Sequence, residues 1–467
     1  MNEQTREWAL AGIVGALVLG GLALDLGPAP ERPRNPAPRS SGFVDRASFC
    51  PPAITAAGYG ETLVYSGGKG DPAVGLEPLH PRPAPLSAGH ISLVGPEGRT
   101  GQAVVGYGEP AFAGAAMRST ESKRAGAGGG TCTGETSSSW YFPAGTSAIG
   151  YDQRILLHNP FPDEAVVRVS LLTPAGEQLD QAGLDDVAVP SGEYQEVVLN
   201  EFVTPRKHIG AAVIALRGRV VAWKGIIGAA RDSPHGFELT VGAPAPALRW
   251  FFPHGLIGEG TEETIALLNP NDRQVTVTVS LAGERNAVQP AGLVDLPVPP
   301  HSSRSVSLGA VAPNSLLGSR RGASVTVTST NGLPLVAERR LARVGEDDSG
   351  RASELGATVE AREWWLAPPA LGAREDLVAL LNPSAHDARV SLELLFSDRP
   401  PLRPEPLRLE IGAGLRAAVS LDRWRSAGPA GVLVSSDAPL VAERASYSPA
   451  ARDMADVMGT PLTPNAR

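Results

Sequence analysis

The sequence predicts an all-β chain built as a tandem array of two-sheet sandwich modules, and three observations carry that expectation. The first is a repeat. An aromatic opening recurs as WYFP at Trp140, WFFP at Trp250 and WWLAP at Trp364, and each is followed by an Asn-Pro pair at Asn159, Asn269 and Asn382. Trp and Asn are separated by 19, 19 and 18 residues, and the segment beyond each Asn ends at Leu199, Leu308 and Leu421, which lie 40, 39 and 39 residues further on. Self-similarity at a fixed period marks a repeat architecture. The second observation is period-two alternation. Val275, Val277, Val279 and Leu281 fall on one side of a strand and Thr276, Thr278 and Ser280 on the other, and Val167, Val169 and Leu171, then Val390, Leu392 and Leu394, repeat the pattern. The third is the lack, in the repeats, of any comparably long stretch with the i, i+3, i+4 spacing of an amphipathic helix.

Short runs broken by Pro, Gly, Asn and Asp give about seven strands per repeat, the number expected of an immunoglobulin-like sandwich of roughly 100 residues. Gly 53 and Pro 43 make up about a fifth of the 467 residues, which suits many turns. The landmark residues have structural roles in this scheme. An Asn after a strand can close an Asx-turn on its own backbone, and the following Pro denies the ladder a donor. Trp140, Trp250 and Trp364 are assigned to the space between sheets, where a large aromatic contributes most burial. The alternative is an exposed sugar-stacking platform.

Along the chain, residues 1–7 are expected to form a short cytoplasmic tail and residues 8–26 a transmembrane signal anchor, built on the uncharged run Ala9 to Leu24. That run falls in the lower range for a spanning helix, and no A-x-A cleavage site follows it, which favours an anchor over a removed signal peptide. Arg6 precedes the span and Arg32, Arg34 and Arg39 follow it; long domains are exported largely regardless of such charge, so the body is placed outside the cell. Residues 27–42 read as a Pro-rich linker. Residues 43–139 form a degenerate first module with strands in ETLVYSG, GHISLVG and QAVVGYG, and EPAFAGAA from Glu109 stands where PLVAER stands in the later units. Modules two, three and four span 140–249, 250–363 and 364–467. Short joints such as GAPAPALRW predict an extended rod.

Cys50 and Cys132 are the only cysteines and sit near the two ends of the first module. Outside the cell they would pair, joining its first strand to its last; the alternative is two unrelated thiols. The Gly-rich AGAGGGTCTG from Ala125 lacks the GK[ST] ending of a phosphate loop and reads as flexible connection.

No catalytic, cofactor or metal site is assigned. None of the eight His residues has a partner at metal spacing, and no HExxH, GxSxG, SxxK or paired-cysteine zinc pattern occurs. His158 aligns with Leu268 and Leu381 and so replaces an apolar residue; His254 and His301 fall in turns. Glu346, Asp347 and Asp348 with Gly350 lack the ligand alternation of a calcium loop and read as a solvated hairpin. Glu338 with Arg339, and Glu443 with Arg444, occupy successive strand positions, where cross-strand pairing accounts for them. A net charge of -8, with no Lys/Arg cluster interleaved with aromatics, argues against a nucleic-acid partner.

WYFPAG at Trp140 or WFFPHG at Trp250, then L-x-N-P, then AER at Ala337 and Ala442, resembles the repeat of an uncharacterised family of actinobacterial cell-envelope proteins. The resemblance covers Trp140 to about Tyr447; module four lacks the Gly and module two lacks AER. It implies an N-terminal membrane anchor, extracytoplasmic β-sandwich repeats and no enzymatic activity. The function expected is a non-catalytic, membrane-anchored scaffold or interaction rod of the cell envelope, with envelope proteins or polysaccharide as partners. The alternatives are a glycan-binding accessory protein using Tyr151, Phe161 or Trp424, and an enzyme with its site at a module junction.

Overall fold

The structure is a computed structural model that describes residues 46–51, 59–65, 73–77, 80–85, 91–93, 102–107, 114–121, 126–176, 178–179, 181–228, 236–309, 322–345, 349–368, 373–427, 430–449 and 452–462. These are all-β, and the helical pieces among them are 3-10 turns such as Leu199–Glu201 and Asp422–Ala427. Among the described residues no helix is long and apolar enough to cross a membrane. Ala9 to Leu24 and the Pro-rich tract lie outside the described residues.

Each repeat pairs two antiparallel sheets. In the second, one sheet runs in the order Tyr194–Val198, Tyr151–His158, Val221–Gly228, Gly236–Val241, and the other in the order Gln178–Leu179, Ala165–Leu172, Gly210–Arg217, Ser139–Phe142. The third repeats this with Ser302–Ser307, Thr261–Asn269, Val336–Val344, Ser349–Leu355 in its first sheet. In the fourth, the 18-residue strand Gly431–Ser448 serves both sheets: its first half pairs with Ala388–Leu395 and its second with Glu375–Leu381 and Asp453–Met458. In the first repeat Tyr59–Tyr65 and Gly114–Glu121 are the central strands, with Gly126–Thr131 at the edge.

The alternating residues fill the space between sheets. Val275, Val277, Val279 and Leu281 are fully buried, as are Val167 and Leu171, and Val390, Leu392 and Leu394 nearly so. Burying one such side chain stabilises the fold by about 2 kcal/mol.

The repeats do not form a rod. Within the body Asp45–Arg467, the last strands of the four repeats, Gly126–Thr131, Gly236–Val241, Ser349–Leu355 and Asp453–Met458, pack each against the next and the fourth against the first. Four sheets therefore meet in a propeller-like ring. The joints are pinned, because Tyr141 bridges to Ala243 and Ala247 to Leu335, so the linker is hydrogen-bonded to the repeats on both sides. Apolar contacts continue across the junctions. Phe49, Cys50 and Val64 share a core with the second repeat, and Leu63 and Tyr65 close the ring on Trp365, Leu395 and Leu462 of the fourth, with Tyr65 stacked on Trp365 at 5.9 Å. An extended rod would expose all of these faces to water.

The Gly-rich stretch is likewise not a flexible connection. Gly126–Thr131 is an inner strand, and a side chain at Gly128 would meet the Phe237 ring at 2.9 Å. Glycine is used here because a neighbouring backbone and ring come close.

Cys50 and Cys132 are joined in a disulfide, with Cα atoms 4.4 Å apart and a sequence separation of 82. The adjacent Phe49–Thr133 bridge shows the two ends of the repeat already side by side. Closing a loop of that length removes unfolded-state entropy worth about 4 kcal/mol. Cys50→Ser with Cys132→Ser is therefore expected to lower stability by about that amount in urea unfolding. A midpoint unchanged from the oxidised wild type would show that the bond is not a constraint on the fold.

Candidate functional site

The repeat landmarks occupy equivalent places. Trp140, Trp250 and Trp364 are 0%, 3% and 1% exposed, and each indole N–H donates at 2.9 Å to a carbonyl on its own repeat: Val220, Leu335 and Leu440. No face is open for sugar stacking. Asn159, Asn269 and Asn382 are fully buried. Their Oδ1 atoms accept the N–H two residues on, from Phe161, Asn271 and Ser384, which is the Asx-turn, and their Nδ2 groups donate to the carbonyls of Val189, Val298 and Ile411 on the other sheet of the repeat. The candidate aromatics Tyr151, Phe161 and Trp424 are half-buried, and each carries a guanidinium over its ring, from Arg351, Arg219 and Arg423. His158 is buried between rings, 4.1 Å from Tyr194, and burial pushes its imidazole down to about 4. His301 Nε2 is 2.8 Å from Asp272 at the surface. The acidic run Glu346 to Asp348 lies outside the described residues. Among the described residues no cluster of three His, Cys, Asp or Glu side chains has the geometry of a metal site.

The AER motif has a role that the strand pattern did not reveal. Its Glu and Arg are buried ion-pair partners between repeats rather than cross-strand pairs on a sheet face. Lys224 of repeat two pairs with Glu338 of repeat three, and Arg339 of repeat three with Glu443 of repeat four, all four side chains fully buried. The same groups tie down the W-x-F-P loops: Lys224 donates to Ala144 O at 2.8 Å and Arg339 to His254 O, while Glu338 accepts Ala144 N–H at 3.0 Å and Glu443 accepts His254 N–H at 2.8 Å. Trp223 holds the Glu position in repeat two, where Lys224 supplies the cation. Strand register puts Ala116 and Met117 at these two positions in repeat one, just beyond Glu109. Arg444 of repeat four pairs with Asp376 of its own repeat, at 2.7 and 2.8 Å. Internal similarity at an aligned column was the available signal; what it could not show was which neighbour each charge faces.

At the centre of the ring, strand register aligns Gly126, Gly236, Gly350 and Asp453 on the inner hairpin strands. The single carboxylate fills the space that three glycines leave. Asp453 accepts N–H bonds from Phe237 at 2.8 Å and from Arg351 and Met454 at 2.9 Å, so it binds three repeats at once. A Cβ built on Gly126 or Gly236 would overlap its oxygens. Burial pushes this carboxyl well above the usual range, against the three N–H groups that favour its charge.

Between repeats three and four, Arg339 and His254 meet several acids. Arg339 donates to Asp456 at 2.5 Å, and His254 Nδ1 lies 3.1 Å from Asp456. Burial lowers the His254 imidazole, and it raises Glu354, which also faces Glu443 and Asp456. Glu263 is 2% exposed, accepts Leu256 N–H at 3.0 Å, and burial pushes it up to about 7. Its aligned residue in repeat two is Gln153, which accepts Thr146 N–H in the same loop, so glutamine fits this site. A buried acid raised in this way contributes fully below its unfolded value of about 4.5 and loses that contribution as pH rises through 7, about 3 kcal/mol in all. Glu263→Gln is therefore expected to flatten the fall in melting temperature between pH 5 and pH 8. The buried histidines titrate in both proteins and cancel from the difference; parallel pH slopes would show that Glu263 is already ionised.

Repeats two and three also frame a solvent-filled cleft of about 500 Å³, lined by the Ala144 to Ile149 loop and Tyr151 on one side and Arg340 on the other. Lys207 and His208 stand at its edge, and Glu262, Thr264 and Ser305 line it further along. Glu238 is shared by Arg351, at 2.7 Å from Nε, and Arg340, at 3.2 Å. Burial works to raise Glu238, but the two guanidiniums together hold it well below the usual carboxylate range. Burial, then Arg340 and Lys207, lower His208.

Among known proteins, residues 100–249 and again 239–464 match the profile of one family, described as a family of unknown function (DUF5719). No curated protein matches. The crystal structure of Thermotoga maritima 1070 is 20% identical to a part of the chain, with 24% of this chain and 94% of that one covered and a TM-score of 0.21, too slight a likeness to bear on the fold.

Proposed function

Since the chain belongs to this family of unknown function, we propose that it is a non-catalytic scaffold or interaction protein of the bacterial cell envelope. It would be held at the membrane by Ala9 to Leu24 and exposed outside the cell, its repeats each an immunoglobulin-like sandwich. The observation that supports this most is the ring itself. Ion pairs buried at two junctions, Lys224 with Glu338 and Arg339 with Glu443, fix the repeats against one another, so that surfaces made by two repeats are preformed. Preorganised surfaces bind without the entropy cost of ordering. The disulfide suits an oxidising compartment.

A second reading, the glycan-binding accessory protein, is favoured by the cleft between repeats two and three. It sets Tyr151 and Ile149 beside hydroxyl and charged groups, the mix that ligand pockets use for an apolar face and polar specificity. The experiment is affinity capture of the full chain on cell-wall polysaccharide, run beside cross-linking from intact cells. Saturable retention on polysaccharide would select glycan binding. Protein cross-links without retention would leave the scaffold and identify its partner, and neither would sink both.

A further inference from the structure

We infer that the cleft between repeats two and three is a binding site for an anionic sugar, a uronate or a sugar phosphate, with Arg340 and Lys207 as its counter-charges. The inference rests on the glycan-binding reading and names the ligand class for that site.

The charge balance comes first. Arg340 and Arg351 share the one carboxylate of Glu238, and Arg351 makes the closer contacts, donating through both Nε and Nη2. Arg340 is left with one bond at 3.2 Å, and its Nε has no partner among the described residues. Lys207, exposed at the rim, makes no ion pair among the described residues. Arg351 and Glu238 cancel, Arg340 and Lys207 add two positive charges, and Glu262 removes one, so one positive charge is unbalanced. His208 already responds to these cations, since both Arg340 and Lys207 act to keep it neutral.

Beyond its one bond to Glu238, an arginine at position 340 is not needed to close the repeat: the residue after the cation is Gly225 in repeat two and Ala445 in repeat four. An arginine at this junction, beside the cleft, is an addition to the repeat. Arg340 supplies the planar fork that matches a carboxylate or phosphate, whereas a lone ammonium would act as a point charge.

The rest of the cleft describes the body of the ligand. Ile149 is 86% exposed and supplies an apolar surface on the repeat-two side, beside Tyr151, whose ring carries Arg351 on one face. Thr264 and Ser305 offer hydroxyls on the repeat-three side, and Glu262 accepts from a sugar hydroxyl. About 500 Å³ accommodates one or two sugar rings.

The test is isothermal titration of the full chain with glucuronate, glucose 6-phosphate, glucose and inorganic phosphate as probes, repeated with Arg340→Ala and Lys207→Ala. Ala445 shows that the repeat tolerates alanine at the first position, and Lys207 lies on the surface, so at least one variant keeps its fold. The expected result is binding of glucuronate or glucose 6-phosphate, at least about tenfold weaker with glucose and about tenfold weaker in each variant. Raising salt should weaken it further. Glucose binding as well as glucuronate would overturn the assignment. So would inorganic phosphate binding as well as either anionic sugar, affinity unchanged in both folded variants, or no binding by any probe. If polysaccharide is retained by wild type and by both variants alike, the glycan-binding reading stands and the cleft is not its site. Loss of polysaccharide retention in wild type itself removes the reading beneath it.

Discussion

Asp453→Ala is expected to destabilise the protein by about 4 kcal/mol. The carboxylate binds N–H groups of Phe237, Arg351 and Met454 and has no exposure to water, so its removal orphans three donors and opens a void between four strands. Water in that void could recover part of the loss. Asp453→Asn is expected to cost less, because an amide oxygen still accepts while the amide nitrogen faces a donor. Gly236→Ala should be as severe as Asp453→Ala for the opposite reason: φ is 144°, a region L-residues rarely adopt, and the added carbon would overlap the carboxylate. Chemical denaturation followed by tryptophan fluorescence measures all three. Gly236→Ala with wild-type stability would mean that the inner strands do not meet at this residue.

Removing one member of the Arg339 and Glu443 pair is expected to cost about 3–5 kcal/mol, because the lost side chain leaves its buried hydrogen-bond partners unsatisfied in a site without water. Glu443→Ala leaves Arg339 with Asp456 and the His254 carbonyl, and it orphans the His254 N–H. Replacing both partners, as Arg339→Met with Glu443→Leu, removes both charges together and should recover part of the loss, since apolar residues of similar volume often substitute for a buried pair, while Asp456 and the His254 backbone still lose partners. Two unfolding curves and a double-mutant cycle decide it. Additive losses, with no recovery in the double variant, would show that the two side chains do not act on each other. The same substitutions at Lys224 and Glu338 should behave alike, whereas Arg444, paired within its own repeat to Asp376, should couple to no neighbouring repeat.

The sequence by itself determined the β class, the repeat and its buried face, because each rests on local chemistry. Period-two alternation needs only a strand with one side against a core, and it identified Val275 to Leu281 and their counterparts. Asn before Pro needs only its own backbone, and the Asx-turns at Asn159, Asn269 and Asn382 follow from it. Two cysteines at the ends of one repeat were enough to suggest their bond.

Only the tertiary structure decided what the charges do. Glu338 and Arg339 are neighbours in sequence, yet one faces repeat two and the other repeat four, and no local pattern distinguishes a buried junction from a solvated sheet face. The ring was hidden for the same reason. Its centre is specified by three glycines and one aspartate, residues that in a linear sequence signal flexibility and exposure, and that become a plug only when four chain segments far apart in sequence converge on one axis. The cleft depends on that convergence too, because Tyr151 and Arg340 come from different repeats and meet only once the ring has closed.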